Sequence, residues 1–339
     1  MVKKRVTVRD LAASVGVNVS TVSRALNPET RKMITPEVVQ KIVKAAEKMG
    51  YYPNRVAAAL ANNRSQTIGV LIPDLMNPVF PPILRGLQDT CDKAGYTLIS
   101  ANSDNKLENE RTALRAMRER AVDGCIMATA RRDDPLVEEC INQKLPLVLI
   151  NRTVDREGVN AIINDDAVGI RMAVDHLISL NHKHIAHIAG PQNTSTGFAR
   201  HEEFLSRMHL KGMSTDLIAN ADAFSIEEGH RIFNELLAQG EKITAVVASN
   251  DLLALGCLDA MKEHGLRCPD DISVVGFNNI PFLDRMAPAL TTIAIPHYEI
   301  GVQAASNLLE QIRNPKKEPF IMKLQPKLIV RGSTAETDS

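Results

Sequence analysis

The chain has 339 residues, 44% of them apolar, and no Trp. That is enough apolar material for two or three cores, and no apolar run approaches the ~20 residues of a bilayer crossing, so a membrane protein is not expected. Its zero net charge hides an asymmetry, because residues 1–63 hold eleven Lys/Arg against four Asp/Glu, a charge of +7, which leaves −7 for the rest. A basic first fifth points to a polyanionic partner for that segment alone, though charge by itself does not separate nucleic acid from a membrane surface. The opening Met-Val-Lys-Lys-Arg runs into Val-Thr-Val-Arg-Asp without the apolar stretch of a secretory signal. Five scattered Cys, without metal-ligand spacing, read as free thiols of a reducing cytoplasm.

The first predicted element is a helix opening near Val8, where Thr7-Val-Arg-Asp10 has capping-box form and Leu11, Ala12 and Val15 make one apolar face. Gly16 and Asn18 break it and cap a second helix from Val19 to Leu26. Val22, Ala25 and Leu26 point inward there, Ser20, Thr21, Ser23 and Arg24 outward, and Asn27-Pro28 ends it. Thr35-Pro36-Glu37 starts a third helix that runs to Gly50 on Val38, Val39, Ile42, Val43, Ala46 and Met49. Two short helices joined by a Gly-containing turn and closed by a third form a helix-turn-helix. Small hydroxyls and one Arg on the outer face of the second helix suit the major groove.

From Val6 to Asn27, and again over Gly50-Tyr-Tyr-Pro-Asn-Arg-Val-Ala-Ala-Ala-Leu60, the sequence resembles the lactose-repressor (LacI/GalR) family, and the likeness extends over nearly the whole chain. The resemblance implies that Val19, Ser20 and Arg24 are base readers, with Thr7, Thr21, Ser23 and Asn27 in the same DNA-facing set. It also implies a hinge helix at 54–62 that folds when two copies meet over the minor groove. That helix adds Asn54, Ala57 and Leu60, the last as a wedge in a central base step. By itself the segment is too short to be a stable helix, below ~12–15 residues. The partner so implied is double-stranded, pseudo-palindromic operator DNA bound by a homodimer. Ile83, Leu84 and Leu87 are candidates for the dimer contact. No heptad tail of the kind that makes tetramers follows Arg331.

Beyond Thr67, apolar runs of strand length at 68–72, 96–100, 124–127, 147–150, 159–163, 184–189, 245–248 and 272–275 alternate with helical segments. The helices are predicted at 80–94, 106–120, 165–180, 198–210, 226–239, 251–264 and 297–313. Near-continuous apolar strands alternating with helices predict parallel α/β sheets, two of them in sequence, with a crossover after Pro296. The fold class is thus an N-terminal all-α helix-turn-helix domain plus an α/β effector domain of two doubly wound lobes. The resemblance makes that domain like a periplasmic binding protein. Predicted boundaries are 1–52 for the reader, 53–65 for hinge and linker, and 66–334 for the effector and dimerisation domain. Its N-lobe is placed at about 66–164 and 296–323, its C-lobe at about 165–295 and 324–334.

Ligands of open α/β sheets sit at the carboxyl ends of strands. The residues there are Asp74, Asn77, Phe80, Asn151, Arg152, Thr196, Arg200, Phe224, Asn250 and Asn278, an amide- and Arg-rich set suited to hydroxyls or carboxylates. By family position Phe80, Arg200, Asn250 and Asn278 are the strongest candidates. Many members of the family carry Asp where Asn278 stands. An amide there, with Arg152 and Arg200 kept, turns the expectation from a neutral sugar toward an anionic one, such as a sugar phosphate or sugar acid.

No metal site, cofactor or catalytic residue is expected. Nine His occur without a His-Glu-x-x-His, and there is no nucleophile elbow, phosphate loop or Gly-x-Gly-x-x-Gly. His182, His184 and His187 read as loop or core residues, and Asn164-Asp165-Asp166 as a helix N-cap rather than a carboxylate metal site. A transport-type solute binder would lack the basic helix-turn-helix. An architectural DNA protein would not need so large a second domain.

Overall fold

The computed structural model describes residues 6–27, 30–52 and 64–337 and divides into two compact units, Met1–Ser65 and Gln66–Ser339. In the first, α1 (Val8–Val15), α2 (Val19–Leu26) and α3 (Pro36–Met49) enclose a small core of Leu11, Ala12, Val15, Val22, Ala25, Ile42 and Ala46. Each boundary has a local cause. The Thr7 hydroxyl accepts from the Asp10 amide while the Asp10 carboxylate accepts from the Thr7 amide, so two N–H groups at the end of α1 are satisfied reciprocally. Gly16 (φ +74°) and Gly50 (φ +63°) end α1 and α3 in the left-handed region where a Cβ is costly. The Asn18 side chain caps α2, and Lys41 Nζ of α3 donates to the Val15 carbonyl at 3.1 Å, tying the third helix to the end of the first.

The second unit holds two six-stranded sheets. One has the order β11-β5-β4-β3-β1-β2, from β1 (Thr67–Ile72), β2 (Thr97–Asn102), β3 (Gly124–Met127), β4 (Leu147–Ile150), β5 (Asn160–Asn164) and β11 (Ile321–Leu324). The other has the order β12-β10-β9-β8-β6-β7, from β6 (Ile185–Ala189), β7 (Ile218–Asn220), β8 (Ala245–Ala248), β9 (Ser273–Asn278), β10 (Thr291–Ala294) and β12 (Lys327–Ile329). Eight helices cover them: α4 (Phe80–Lys93), α5 (Leu107–Glu119), α6 (Pro135–Asn142), α7 (Asp166–Ser179), α8 (Ser195–Leu210), α9 (Ile226–Ala238), α10 (Asp251–Glu263) and α11 (His297–Arg313). The central strands are buried on both faces, as their unbroken apolar runs require. The chain passes between the sheets after β5, after β10 and between β11 and β12, so three strands of polypeptide link the lobes.

The sheets are not wholly parallel, because β12 runs antiparallel to β10. Four strands and one helix were not read from the sequence. Strands β7, β11 and β12 are short edges, and β11 and β12 interleave Lys with their apolar residues; β10 spends two of its four residues on Thr. The two-turn α6 is marked only by the Asp134 cap and Pro135. Two of the three expected dimer contacts also need correction. Ile83 and Leu87 are enclosed in the core of their own chain, and Leu84 packs against it, because α11 covers that face of α4.

That α4–α11 crossing depends on two glycines. A Cβ at Gly86 would stand 2.2 Å from the Tyr298 carbonyl oxygen, and one at Gly301 2.1 Å from that of Ile83, both backbone atoms that cannot swing away. Gly301→Ala is therefore expected to destabilise the second unit by about 1–3 kcal/mol through forced helix separation. Gly332→Ala, whose Cβ would meet nothing closer than 3.7 Å, serves as the near-neutral control in urea unfolding.

Candidate functional site

In the first unit, the side of α2 opposite the core is solvent-facing. Val19 is 38% exposed, Ser20, Ser23 and Arg24 are exposed and Thr21 half-buried, while Val22 and Ala25 anchor the helix beneath. The Arg24 carbonyl accepts from the Thr30 hydroxyl and that of Ala25 from Arg31 Nε, so the loop after α2 braces its C-terminus. No carboxylate among the described residues pairs with the Arg24 side chain. Thr7 is exposed at the start of α1, and Asn27 is the C-cap of α2. Asn54, Ala57 and Leu60 lie outside the described residues.

In the second unit, strand order reverses between β1 and β3 in one sheet and between β6 and β8 in the other, the two switch points where such folds bind ligands. The loops at these carboxyl ends meet. The Arg132 amide, after β3, donates to the Asn193 carbonyl at 2.9 Å, and the Thr153 amide, after β4, donates to the Ser195 hydroxyl at 2.9 Å. The Arg132 guanidinium lies 3.5 Å from the centre of the Phe198 ring.

Arg200, on the inner face of α8, is 2% exposed. Its Nε and Nη2 donate to Asp166 Oδ1 at 2.9 and 2.7 Å, its Nη1 donates to the Ser249 carbonyl at 2.6 Å, and its guanidinium lies over the Phe277 ring at 3.8 Å. These contacts leave two of its five N–H groups for another partner and fix the plane in which they point. Asp166 is therefore not the cap. That role falls to Asp165, whose carboxylate accepts from the Val168 amide, and Asp166 becomes the counter-ion of Arg200.

Asp74, Asn77 and Asn250 use side-chain oxygens locally, accepting from the amides of Met76, Val79 and Leu253. The Asp and Asn77 bonds shape the loop after β1, and the Asn250 bond caps α10. The two N–H groups of the Asn250 amide remain for other partners. Asn151 (φ +62°) accepts from the Asn164 amide, and Asn278 sits at φ +114°, a backbone state that few residues other than Gly adopt. Beneath Asn278, buried Asp251 accepts from the Thr292 hydroxyl and the Ile280 amide, pinning the loop after β9. Burial pushes its carboxyl up to about 7. Phe80 is buried at the first turn of α4, Thr196 at that of α8, and the Phe224 ring closes on Gly190, where a Cβ would come within 2.4 Å.

Sequence reasoning missed Asp166, Asn105, Glu110, Thr129 and Arg131. Arg131 forks onto the fully buried Glu110 (2.9 and 3.1 Å), with Asp134 at 3.9 Å. Arg152 is 7% exposed; among the described residues its guanidinium makes a single hydrogen bond, from Nη1 to the Asn105 side-chain oxygen at 3.3 Å, and its enclosed Nε has no partner. The Ser103 and Thr129 hydroxyls, the Thr153 hydroxyl, Arg132 Nε and Asn164 Oδ1 are likewise enclosed without partners. All lie at the carboxyl ends of β2, β3, β4 and β5. Unpaired buried polar atoms are rare, and so many along one sheet edge mark a face built for something else to complete.

A helix-turn-helix in the same chain as a two-lobed α/β domain, whose switch points converge on Arg and amide side chains, defines a DNA-binding regulator with a small-molecule site. Comparison with known proteins bears on which. Residues 7–54 match the model of bacterial regulatory proteins of the lacI family, and residues 174–334 that of a periplasmic binding protein-like domain. The ribose operon repressor of Halalkalibacterium halodurans is 32% identical over 328 residues, 97% of each chain, and the transcriptional repressor PurR of Aliivibrio fischeri 33% over 336, covering 97% and 98%. The chain belongs to the lacI family. The lac repressor dimer bound to operator and the anti-inducer ONPF superposes with a TM-score of 0.86 at 27% identity, over 98% of this chain and all of that one. A lacI-family regulator of Enterococcus faecium with bound ribose gives 0.71 at 34% identity, over 80% and 100%. No helix among the described residues is long and apolar enough to cross a membrane.

Proposed function

We propose that this chain is a cytoplasmic, sequence-specific transcriptional repressor whose affinity for operator DNA is set by a sugar or sugar derivative bound between the lobes, and that it is not an enzyme. The observation that carries the reading is one chain holding both the exposed Val19–Arg24 face of α2 and the oriented, partly unfilled guanidinium of Arg200 at a sheet switch point. Residues 1–52 read the major groove, 53–65 form the hinge with Leu60 as its minor-groove wedge, and 66–334 bind effector and dimerise. One short helix covers too few base pairs to be selective, so the active form is a two-fold dimer on a pseudo-palindrome. Effector binding in the cleft changes lobe closure and with it the spacing of the two readers, which requires a coupling of about 1–3 kcal/mol.

Selection from a random duplex library, followed by mobility shift, tests this. A pseudo-palindromic site should emerge, with affinity falling steeply as salt rises. Arg24→Ala should weaken the selected site by about 1–3 kcal/mol and relax preference at one base pair of each half-site. Retention of full selectivity by Arg24→Ala would remove that residue from the reader, and failure to select any site would remove the function.

A further inference from the structure

We infer that the effector is an anionic sugar derivative and that Arg152 is the seat of its negative group. The inference deepens the effector reading above and rests on it. A guanidinium taken out of water is costly unless a counter-charge or a full set of acceptors replaces the solvent. The other three guanidiniums at these strand ends have their carboxylates: Arg131 has Glu110 and Asp134, Arg132 has Asp155, and Arg200 has Asp166. Those carboxylates are spent, since Asp134 also accepts from the amides of Arg131, Leu136 and Val137. Arg152 has one neutral amide at 3.3 Å and an enclosed Nε without a partner.

Its surroundings are not those of a structural cation. Burial brings its guanidinium down to about 10; Arg131 and Arg200 add to this as like charges, and Glu110, already forked by Arg131, opposes it only in part. Of the ten strand-end candidates, Asn77, Asn151, Asn250 and Asn278 are amides and Asp74 alone is an acid, so the set brings little negative charge of its own. The Thr129 hydroxyl, enclosed and unpaired at the end of the adjacent β3, offers a second donor for an oxyanion. A carboxylate or phosphate can take the Arg152 fork in two parallel hydrogen bonds, and a neutral hydroxyl cannot supply that charge.

Calorimetry on the full chain with ribose, ribonate and ribose 5-phosphate tests this, the last two separating a carboxylate from a phosphate source. At least one anion should bind tenfold or more tightly than ribose, and its affinity should fall with added salt. Arg152→Gln should abolish that preference, and Arg152→Lys should restore part of it. A residue with only a packing role would destabilise the protein when replaced. Removing an uncompensated buried charge should instead raise the Tm of the ligand-free Arg152→Gln chain. Ribose binding as tightly as both anions, no binding by either anion, or an anion preference that survives Arg152→Gln overturns the inference. The effector reading itself fails separately, if neither ribose nor either anion changes operator binding.

Discussion

Asp166→Ala is expected to lower the unfolding free energy of the second unit by about 3–5 kcal/mol, the cost of leaving a buried guanidinium without its counter-charge. Both partners are enclosed, and Asp166 Oδ1 takes two donors of Arg200 at 2.7 and 2.9 Å. Truncation would leave Arg200 with the Ser249 carbonyl and the Phe277 face, neither of which carries a formal charge. Surface pairs such as Arg85–Asp89 differ in kind, since water replaces the lost partner there. Urea unfolding of Asp166→Ala, Arg200→Met and the double variant would form a cycle. The double variant should recover much of the stability, because removing both charges also removes their desolvation. It should not recover effector binding, because the plane of the Arg200 fork is lost. A loss below 1 kcal/mol in Asp166→Ala would mean that the pair is solvated and that Arg200 is held by other contacts.

This pair also shows where the sequence could and could not be read. The apolar runs at β3, β4 and β8 carry their own limits, because a strand buried on both faces must be continuous and is cut by polar residues at each end. Arg200 stood out by position, but in Asn164-Asp165-Asp166 two adjacent acids compete for one cap. Only the helix phase decides that Asp165 takes it and Asp166 turns inward. The stripe of Ile83, Leu84 and Leu87 suits an interface as well as a core, since periodicity reports a buried face without saying by what it is buried. Here α11, more than two hundred residues away, covers it through the Gly86–Gly301 contact. The Arg131–Glu110 fork joins residues 21 apart on different elements, and the enclosed hydroxyls of Ser103 and Thr129 look in sequence like any loop Ser or Thr. Arg152 and Asn278 could be read at their strand ends, but the partners that leave Arg152 without a carboxylate of its own are ones that no local pattern marks. The reader helix is the opposite case, because caps, turn glycine and outward hydroxyls all lie within a few residues of each other.

Acid should begin to destabilise the second unit near pH 6, above the range in which ordinary carboxylates titrate. His187 is fully enclosed in β6, with its Nδ1–H donating to the Val247 carbonyl at 2.8 Å, its ring stacked on Phe204 and its Nε2 without a partner. Burial pushes its imidazole down to about 3, and that of His297, also with an unpaired Nε2, down to about 4. In the unfolded chain both titrate near 6.5. As pH falls below 6.5 the unfolded state takes up protons that the folded state refuses, so each histidine lowers stability by about 1.4 kcal/mol per pH unit, down to its folded value. Asp251 acts the other way. With its carboxyl raised to about 7, the folded state binds that proton first and gains by a similar amount per unit from about pH 7 to its unfolded value. Two histidines against one carboxyl leave a net loss of about 1.4 kcal/mol per unit between pH 6 and 4, and the lowered imidazoles of His176 and His182 act in the same direction. Urea unfolding at pH 7, 6, 5 and 4.5 should show this decline. His297→Phe should nearly flatten it, and Asp251→Asn should steepen it by removing the opposing proton. Stability that holds level from pH 7 to 4.5 in the unmodified chain would show that water reaches these imidazoles and that their burial is not maintained in solution.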